Sequence, residues 1–444
     1  MTRLSGIEEG IQRQTVSIQR HAVLTYLLFT RGASWRSDSG CLGGTREELR
    51  DTIHSWIETA SGDSPKIFCL SAAAGAGKSA VAHSVAKRAK DFIASAFFVT
   101  RGSAERRSLS HILGTLIWEL AGRNQRFGDA MGGAIDRERA LASADPVRQF
   151  TELLLPSIRY LDKSKPFIWI IDALDELESP RAFIDLLRRH IPKLPGNFRI
   201  FITFRPLPVF KVLDSLPHSE SAGIPLQSPS SMQDIDLIAR NQLQTVALEK
   251  ELTDWPDEDA IEQFTKKAEG LPIWVTVVAA FLRNSSAPKW DFIELLKGSP
   301  TDNMFDYLYT TVLEAAGNWG QATFGSSLAL VLGILLVVQR PLSVKTIQCF
   351  YQEQDVLHEM IPNLIQGLTP FLTNVRPSPP INVHLPQYTF STSDPLGFVH
   401  LTVRDFLMRQ TRVEIPLPKC QDELALRCLQ VLNSGLTDHM PGVG

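Results

Sequence analysis

The sequence predicts an α/β fold, a parallel sheet covered by helices on both faces, with a mainly helical half behind it. Three observations point there. Between residues 67 and 204 short apolar runs, IFCL, SAFFVT, FIWIID and FRIFITF, alternate with stretches of helical periodicity, which is how a parallel sheet with crossover helices is written in a chain. The first run enters a loop of small residues, AAAGAGKS, and leaves as a helix. From about Ser228 onward the strand-like runs stop and helical periodicity takes over.

The chain has 444 residues, 44% of them hydrophobic, long enough for two to four domains and a substantial core. A formal net charge of −3 does not call for nucleic acid or an anionic membrane as partner. The five cysteines, Cys41, Cys69, Cys349, Cys420 and Cys428, are scattered and have no C-x-x-C spacing. That argues against a disulfide framework or a zinc site, and for a reducing, cytoplasmic setting. The acidic start, with Glu8 and Glu9, does not suit a signal peptide. The longest apolar run, Leu328 to Val338, falls short of the roughly 20 residues that cross a bilayer and reads as a buried helix.

Taken in order, Ile7, Ile11, Ile18 and Leu27 predict a first helix, followed by the polar linker RGASWRSDSG. Thr45 stands three residues before Glu48, the spacing of a capping box, ahead of a helical face of Leu49, Ile53 and Ile57. After the loop helix come SAFFVT, helical stretches around Leu109–Leu120 and Val147–Leu161, FIWIID, a helix near Ala182–His190, and FRIFITF. DIDLIARNQL, DEDAIEQFTKKAEGLPIWVTVVAAFLR, LYTTVLEAA, VKTIQCFY, HLTVRDFLMRQ and ELALRCLQVL follow as helical text. The prolines of RPSPPINVHLPQYTFSTSDPLG make that stretch a loop or wing. No internal repeat has the period of a solenoid or propeller.

The loop meets the pattern G-x-x-x-x-G-K-[ST] at Gly77, Lys78 and Ser79, with Ala72 in the first glycine position and Gly75 adding freedom. Such a loop closes backbone N–H groups of Ala74, Gly75, Ala76, Gly77, Lys78, Ser79 and Ala80 on phosphate oxygens at a helix N-terminus. Lys78 adds a charge and Ser79 a hydroxyl for Mg²⁺. Ala72 is harmless there if its φ is negative. In FIWIIDALDELESP, Asp172 ends a strand and suits the metal's water shell, with Asp175 and Glu176 placed to orient or deprotonate a water. The same acids also suit a helix N-terminus. In FRIFITFRPLP, Thr203 and Arg205 end another strand, where a guanidinium suits a γ-phosphate or, blandly, solvent.

With these blocks in this order, the chain resembles the NACHT class of signal-transduction ATPases, the nucleotide switch of NOD-like receptors, in particular the fungal type. AAAGAGKS stands as Walker A, IIDALDEL as Walker B with the small Ala173 after the first acid, ITFRP as sensor 1, and FVHLTVRDFL as the winged-helix block. GLPIW (270–274) and CLGGTREEL (41–49) add weaker agreement. The resemblance implies an AAA-like P-loop NTPase domain at 40–227, a small helical domain at 228–300 and a winged-helix domain at 301–412. Residues 1–39 precede these as a helix and linker, and 413–444 begin a further helical region. It also implies ATP or ADP with Mg²⁺ as cofactors, slow ATP hydrolysis between open and closed states, and self-oligomerisation or protein partners on activation. Lys78 and Ser79 would then bind phosphate and Mg²⁺, Asp172 the metal, Asp175 the catalytic water with Glu176 beside it, and Arg205 the γ-phosphate. Pro272 would pack near adenine, Thr45 and Arg46 would close the base pocket, and His400 would reach the β-phosphate of ADP. The expected setting is innate-immune or self/non-self recognition.

Other readings stay open on the residues alone. Pro272 also suits a turn between helices, and His400, beside Val403, Phe406 and Leu407, also suits a core position. Two departures from the family, Ala72 and the missing C-terminal repeat array, fit a truncated receptor fragment or a scaffold that binds nucleotide without hydrolysing it. A P-loop kinase or DNA-handling ATPase is a third possibility, but HLTVRDFLMRQ lacks the dense basic stripe of a recognition helix, so nucleic acid is not expected.

Overall fold

The computed structural model describes residues 24–59, 64–101, 103–216, 218–297, 304–352, 355–373, 394–410 and 412–437. The chain falls into two compact units, Met1–Pro225 and Leu226–Gly444.

The first unit is built on five strands: β1 (Ile67–Ser71), β2 (Ile93–Phe98), β3 (Phe167–Asp172), β4 (Phe198–Phe204) and β5 (Ser219–Gly223). They form one sheet in the order β2-β3-β4-β1-β5, every pair parallel. All seven residues of β4 are buried, as expected of a central parallel strand with helices on both faces. β4 lies between β1 and β3, so its carboxyl end emerges between the small-residue loop and the acids after β3. The apolar runs predicted four of these strands. The fifth, SESAG, is largely exposed and has no apolar signature. It is a strand because β1 offers it an open edge, pairing Ile67 with Ser219 and Ser71 with Gly223.

The helices Glu47–Glu58, Lys78–Arg88, Leu109–Arg123 and Pro180–His190 lie where periodicity predicts them. Helix Gln125–Arg137 was not predicted: its glycines depress helix propensity. Asn124, which accepts the Phe127 N–H, starts it, and Phe127, Met131 and Ile135 stack along its buried face. The predicted Val147–Leu161 helix is present as one continuous helical stretch from Pro146 to Ile158, α-helical at Pro146–Arg148 and Leu155–Ile158 and π-helical over Gln149–Leu154 between them.

Two expectations near the start need correction. Thr45 forms no capping box: its hydroxyl donates back to Leu42 O at 2.7 Å, and the helix opens from Arg46 in the left-handed region at φ 54° without a side-chain cap. The predicted first helix lies mostly outside the described residues. Its end and the linker after it, residues 24–41, form a strap docked on the domain. Leu24, Leu27, Thr30 and Ala33 are buried. The strap is tied down where Thr30 N donates to Thr115 Oγ1 at 2.9 Å, Phe98 N to Ala33 O at 2.8 Å, and Cys41 N to Ser84 Oγ at 2.7 Å. A Cβ on Gly114 would sit 2.4 Å from Leu28 O, so the close approach of strap and helix requires glycine there.

The second unit is helical, from Pro229–Glu249 to Leu417–Thr437, with one short antiparallel ribbon of β6 (Leu372–Thr373) and β7 (Gly397–Phe398). One apolar core runs through it from Ile235 to Val413. Helices Pro288–Lys297 and Asp355–Gly367 were not predicted. The run Leu328–Val338 forms the end of helix Phe324–Val337, with Val338 as its C-cap, and the helix's buried residues face several sides, as a core helix requires. Among the described residues no helix is long and apolar enough to cross a membrane, and no disulfide forms. The proline-rich stretch lies outside the described residues as far as residue 393.

Candidate functional site

β1 delivers the chain into the loop at the carboxyl edge of the sheet. Ala72 is buried, donates its N–H to Phe204 O at 3.3 Å, and is not among the residues with positive φ, so a methyl group at the first glycine position costs nothing. The left-handed conformations fall on Gly75 (φ 78°) and Gly77 (φ 92°). Gly77 is the residue from which helix Lys78–Arg88 departs, so the loop's N–H groups and the positive end of that helix converge on one place. Ala74, Gly75, Ala76, Gly77 and Ala80 thus supply the loop backbone and first helical turn. Lys78 Nζ donates to Ala72 O and Ala73 O, both at 2.8 Å. Burial draws its pKa down, while Asp175 and Asp172 hold it up against Arg205.

Asp172 ends β3 almost fully buried, each carboxylate oxygen on a hydroxyl: Ser79 Oγ donates at 2.7 Å and Thr203 Oγ1 at 2.5 Å. Burial pushes its pKa up and these two hydrogen bonds oppose the shift. Ala173, next in the chain, is left-handed at φ 58° and donates its N–H to Thr203 Oγ1 at 2.9 Å. A non-glycine residue there stores about 1–2 kcal/mol, and the turn it makes separates the next two acids. Asp175 turns to Arg205, accepting its main-chain N–H at 3.0 Å and its Nε–H at 2.5 Å. Glu176 turns to the loop after β2 and accepts the Arg101 N–H at 2.9 Å. Burial pushes Glu176 up to about 7, with Asp175 and Asp172 adding to the shift and Arg101 opposing it.

Sequence reasoning missed the β2 side of the site. Arg106 donates Nε–H and Nη2–H to Phe98 O at 3.0 and 2.7 Å, where Phe98 is registered against Asp172. Burial lowers its pKa, Arg36 adds to that, and Glu176 and Asp172 oppose it. His83, on the loop helix, stacks on Phe98 at 3.9 Å and accepts the Arg36 N–H at 3.0 Å. The signal for Arg101 and Arg106 was present, since TRGSAERR follows a strand end and ligands gather at strand carboxyl ends.

Lys78, Ser79, Asp172, Asp175, Glu176 and Arg205 therefore share one edge of one sheet. Pro272 and His400 belong to the second unit. Pro272 is the first residue of helix Pro272–Asn284, after Gly270 at φ 81°, where a Cβ would lie 2.0 Å from Leu226 O. His400 is the N-cap of helix Leu401–Arg409: its Nδ1 accepts the Thr402 N–H at 3.2 Å and lies 2.9 Å from Thr402 Oγ1, which pairs with Tyr309 at 2.7 Å.

For a magnesium nucleotide the donor set fits. Ser79 and Asp172 offer hard oxygens side by side, and Mg²⁺ ordinarily takes one or two protein oxygens, with water and phosphate for the rest.

Residues 44–205 match the family described as Nephrocystin 3, N-terminal. No curated protein matches the chain. Among solved structures it is similar to a Signal Transduction ATPase with Numerous Domains protein, with a tetratricopeptide repeat sensor, from Pyrococcus horikoshii. The TM-score is 0.48 at 14% identity, over 92% of this chain and 48% of that one, so the chain spans about half that protein's length. It is also similar to the ORC1 protein of Aeropyrum pernix in complex with DNA (TM-score 0.37, 15% identity, 84% and 94% covered). Drosophila ORC bound to DNA gives a TM-score of 0.34 at 13% identity, with 73% and 82% covered. The glycine-hinged loop opening a helix, the buried acid at the end of β3 and the family match over the same stretch identify residues 44–205 as a P-loop NTPase domain of the NACHT type.

Proposed function

We propose that the chain is a nucleotide-dependent signalling switch that binds ADP or ATP with Mg²⁺ and hydrolyses ATP slowly. The observation that supports it most is the Ser79–Asp172 hydrogen bond, which joins the phosphate-loop helix to the acid end of β3. Mg²⁺, where bound, would be held by Ser79 and Asp172 and would neutralise charge on the phosphates. The loop N–H groups and Lys78 bind and orient the phosphates. Arg205, the residue after β4, would meet the terminal phosphate. Glu176 takes the proton of the attacking water. A pKa near 7 matches such a base to neutral pH; slow turnover is proposed from the family resemblance.

The finer roles rest on the sequence blocks. Pro272 near adenine, His400 on the β-phosphate, and a winged helix within 301–412 are proposed from GLPIW and FVHLTVRDFL, the last also supported by the β6–β7 ribbon preceding helix Leu401–Arg409. So are a small helical domain at 228–300, protein partners or self-oligomerisation on activation, a role in innate-immune or self/non-self recognition, and a cytoplasmic setting. A second reading, a scaffold that holds nucleotide without hydrolysis, follows if the base is Asp175 and not Glu176, since Arg205 already engages the Asp175 carboxylate.

Mass spectrometry of nucleotide released from the purified protein, with titration of ATP and ADP into parent and Lys78→Ala, tests the proposal. Lys78→Ala is expected to weaken both nucleotides at least about tenfold, the equivalent of one charge-assisted hydrogen bond. Unchanged affinities sink the site assignment, and bound nucleotide without turnover favours the scaffold.

A further inference from the structure

Asp175 and Glu176 are neighbours in sequence whose carboxylates take different hydrogen-bond partners. Glu176 faces the β2 loop through the Arg101 N–H, whereas both oxygens of Asp175 belong to one residue of β4's end, accepting Arg205 main-chain N–H and Nε–H. Two bonds from one residue onto one carboxylate fix that residue's backbone and its side chain together. The Asp175 side chain is 3% exposed and that of Arg205 is 21% exposed, so the pair is closed on the acid side and open on the guanidinium side. A guanidinium is a rigid planar fork of five donors, and holding it by Nε orients the edge formed by Nη1 and Nη2. Among the described residues neither of those nitrogens has a hydrogen-bond acceptor. The fork is therefore aimed by Asp175, and its donating edge is left for a ligand.

We propose that Asp175 is a positioning residue, which aims Arg205 at the terminal phosphate of a bound nucleoside triphosphate and leaves the attacking water to Glu176. This inference rests on the nucleotide-switch reading and assigns the discrimination of triphosphate from diphosphate to the Asp175–Arg205 pair. An asparagine at 175 keeps one oxygen for the main-chain N–H but sets a donor against Nε–H, which releases the fork without changing side-chain volume.

The experiment measures dissociation constants for a non-hydrolysable ATP analogue and for ADP in the parent, Asp175→Asn, Arg205→Ala and the double variant. Each single substitution is expected to weaken the analogue about tenfold, the equivalent of one charge-assisted hydrogen bond. ADP affinity stays at the parent value, and the double variant is no weaker than Arg205→Ala. Single losses that multiply in the double variant overturn the proposal. So does an Asp175→Asn protein that binds the analogue like the parent but no longer hydrolyses ATP, which returns Asp175 to the water. Should Asp175→Asn lose ADP as well, Arg205→Lys carries the comparison: it keeps the charge and lacks the fork, and parent-like affinity for the analogue overturns the proposal. A parent protein that binds neither nucleotide overturns the switch reading and this inference together, whereas parent ADP binding with multiplying losses overturns this inference alone.

Discussion

Ser79 and Asp172, far apart in the chain, meet at 2.7 Å, the serine on the first turn of the loop helix and the aspartate at the buried end of β3. Thr203 holds the other carboxylate oxygen, so Asp172 presents to the loop an acid whose orientation is set from two sides. Asp172→Asn keeps the shape and removes the charge that Mg²⁺ needs. The expected outcome is an ATP affinity no longer raised by Mg²⁺, with Mg²⁺-free affinity near the parent's, as isothermal titration with and without the metal reads out. A Mg²⁺ effect of parental size in Asp172→Asn rules out the metal role.

Glu176 carries a pKa raised by burial from 4.5 to about 7. As a base it works only when deprotonated, so hydrolysis is expected to rise with pH through about 7 and level off above it, and Glu176→Gln to abolish both rate and inflection. The sign for stability is opposite. A raised carboxyl pKa contributes stability that is complete below 4.5 and lost as pH rises through about 7. Glu176→Gln therefore gains melting temperature relative to the parent between pH 5 and pH 8. A pH–rate profile and paired melting curves check both.

The His83 ring is held uncharged by its surroundings: burial, then Arg36, lower its pKa from 6.5 to about 4. Its ring accepts the Arg36 N–H and stacks on Phe98, so a proton on it breaks the strap's contact with the loop helix. The stability this histidine lends is complete above about pH 6.5 and declines as pH falls toward 4. Hydrogen exchange at the strap amides is expected to accelerate over that window, beyond the intrinsic rate, and His83→Gln to flatten the change. Gly114→Ala should loosen the same strap at neutral pH, although alanine is the better helix former by about 1 kcal/mol, because its methyl meets Leu28 O.

His400 caps helix Leu401–Arg409, which separates two roles that alanine alone would confuse. His400→Ala is expected to lower stability by about 1 kcal/mol through loss of the cap, read by denaturant unfolding. His400→Asn restores a capping oxygen but not an imidazole. A faster ADP release in His400→Asn at parental stability supports the β-phosphate role, and an unchanged release rate leaves only the cap.

What the residues determined by themselves was the part governed by local rules. Four strands are apolar runs long enough to need burial, Gly75 and Gly77 stand where only glycine turns easily, and Asp172 and Arg205 lie at strand ends. Tertiary structure decided what local rules leave equal. SESAG is polar and becomes β5 because β1 had an unpaired edge. Residues 31–40 read as a linker and belong to a docked strap, since the strap's anchors Thr115, Ser84, His83 and Phe98 are distant in sequence. Asp175 and Glu176 are equivalent as text, and the left-handed turn at Ala173 sends one to Arg205 and the other to the Arg101 amide. A carboxylate's role depends on which donors reach it, and that is settled by sheet order, which places β4 beside β3, rather than by any spacing along the chain.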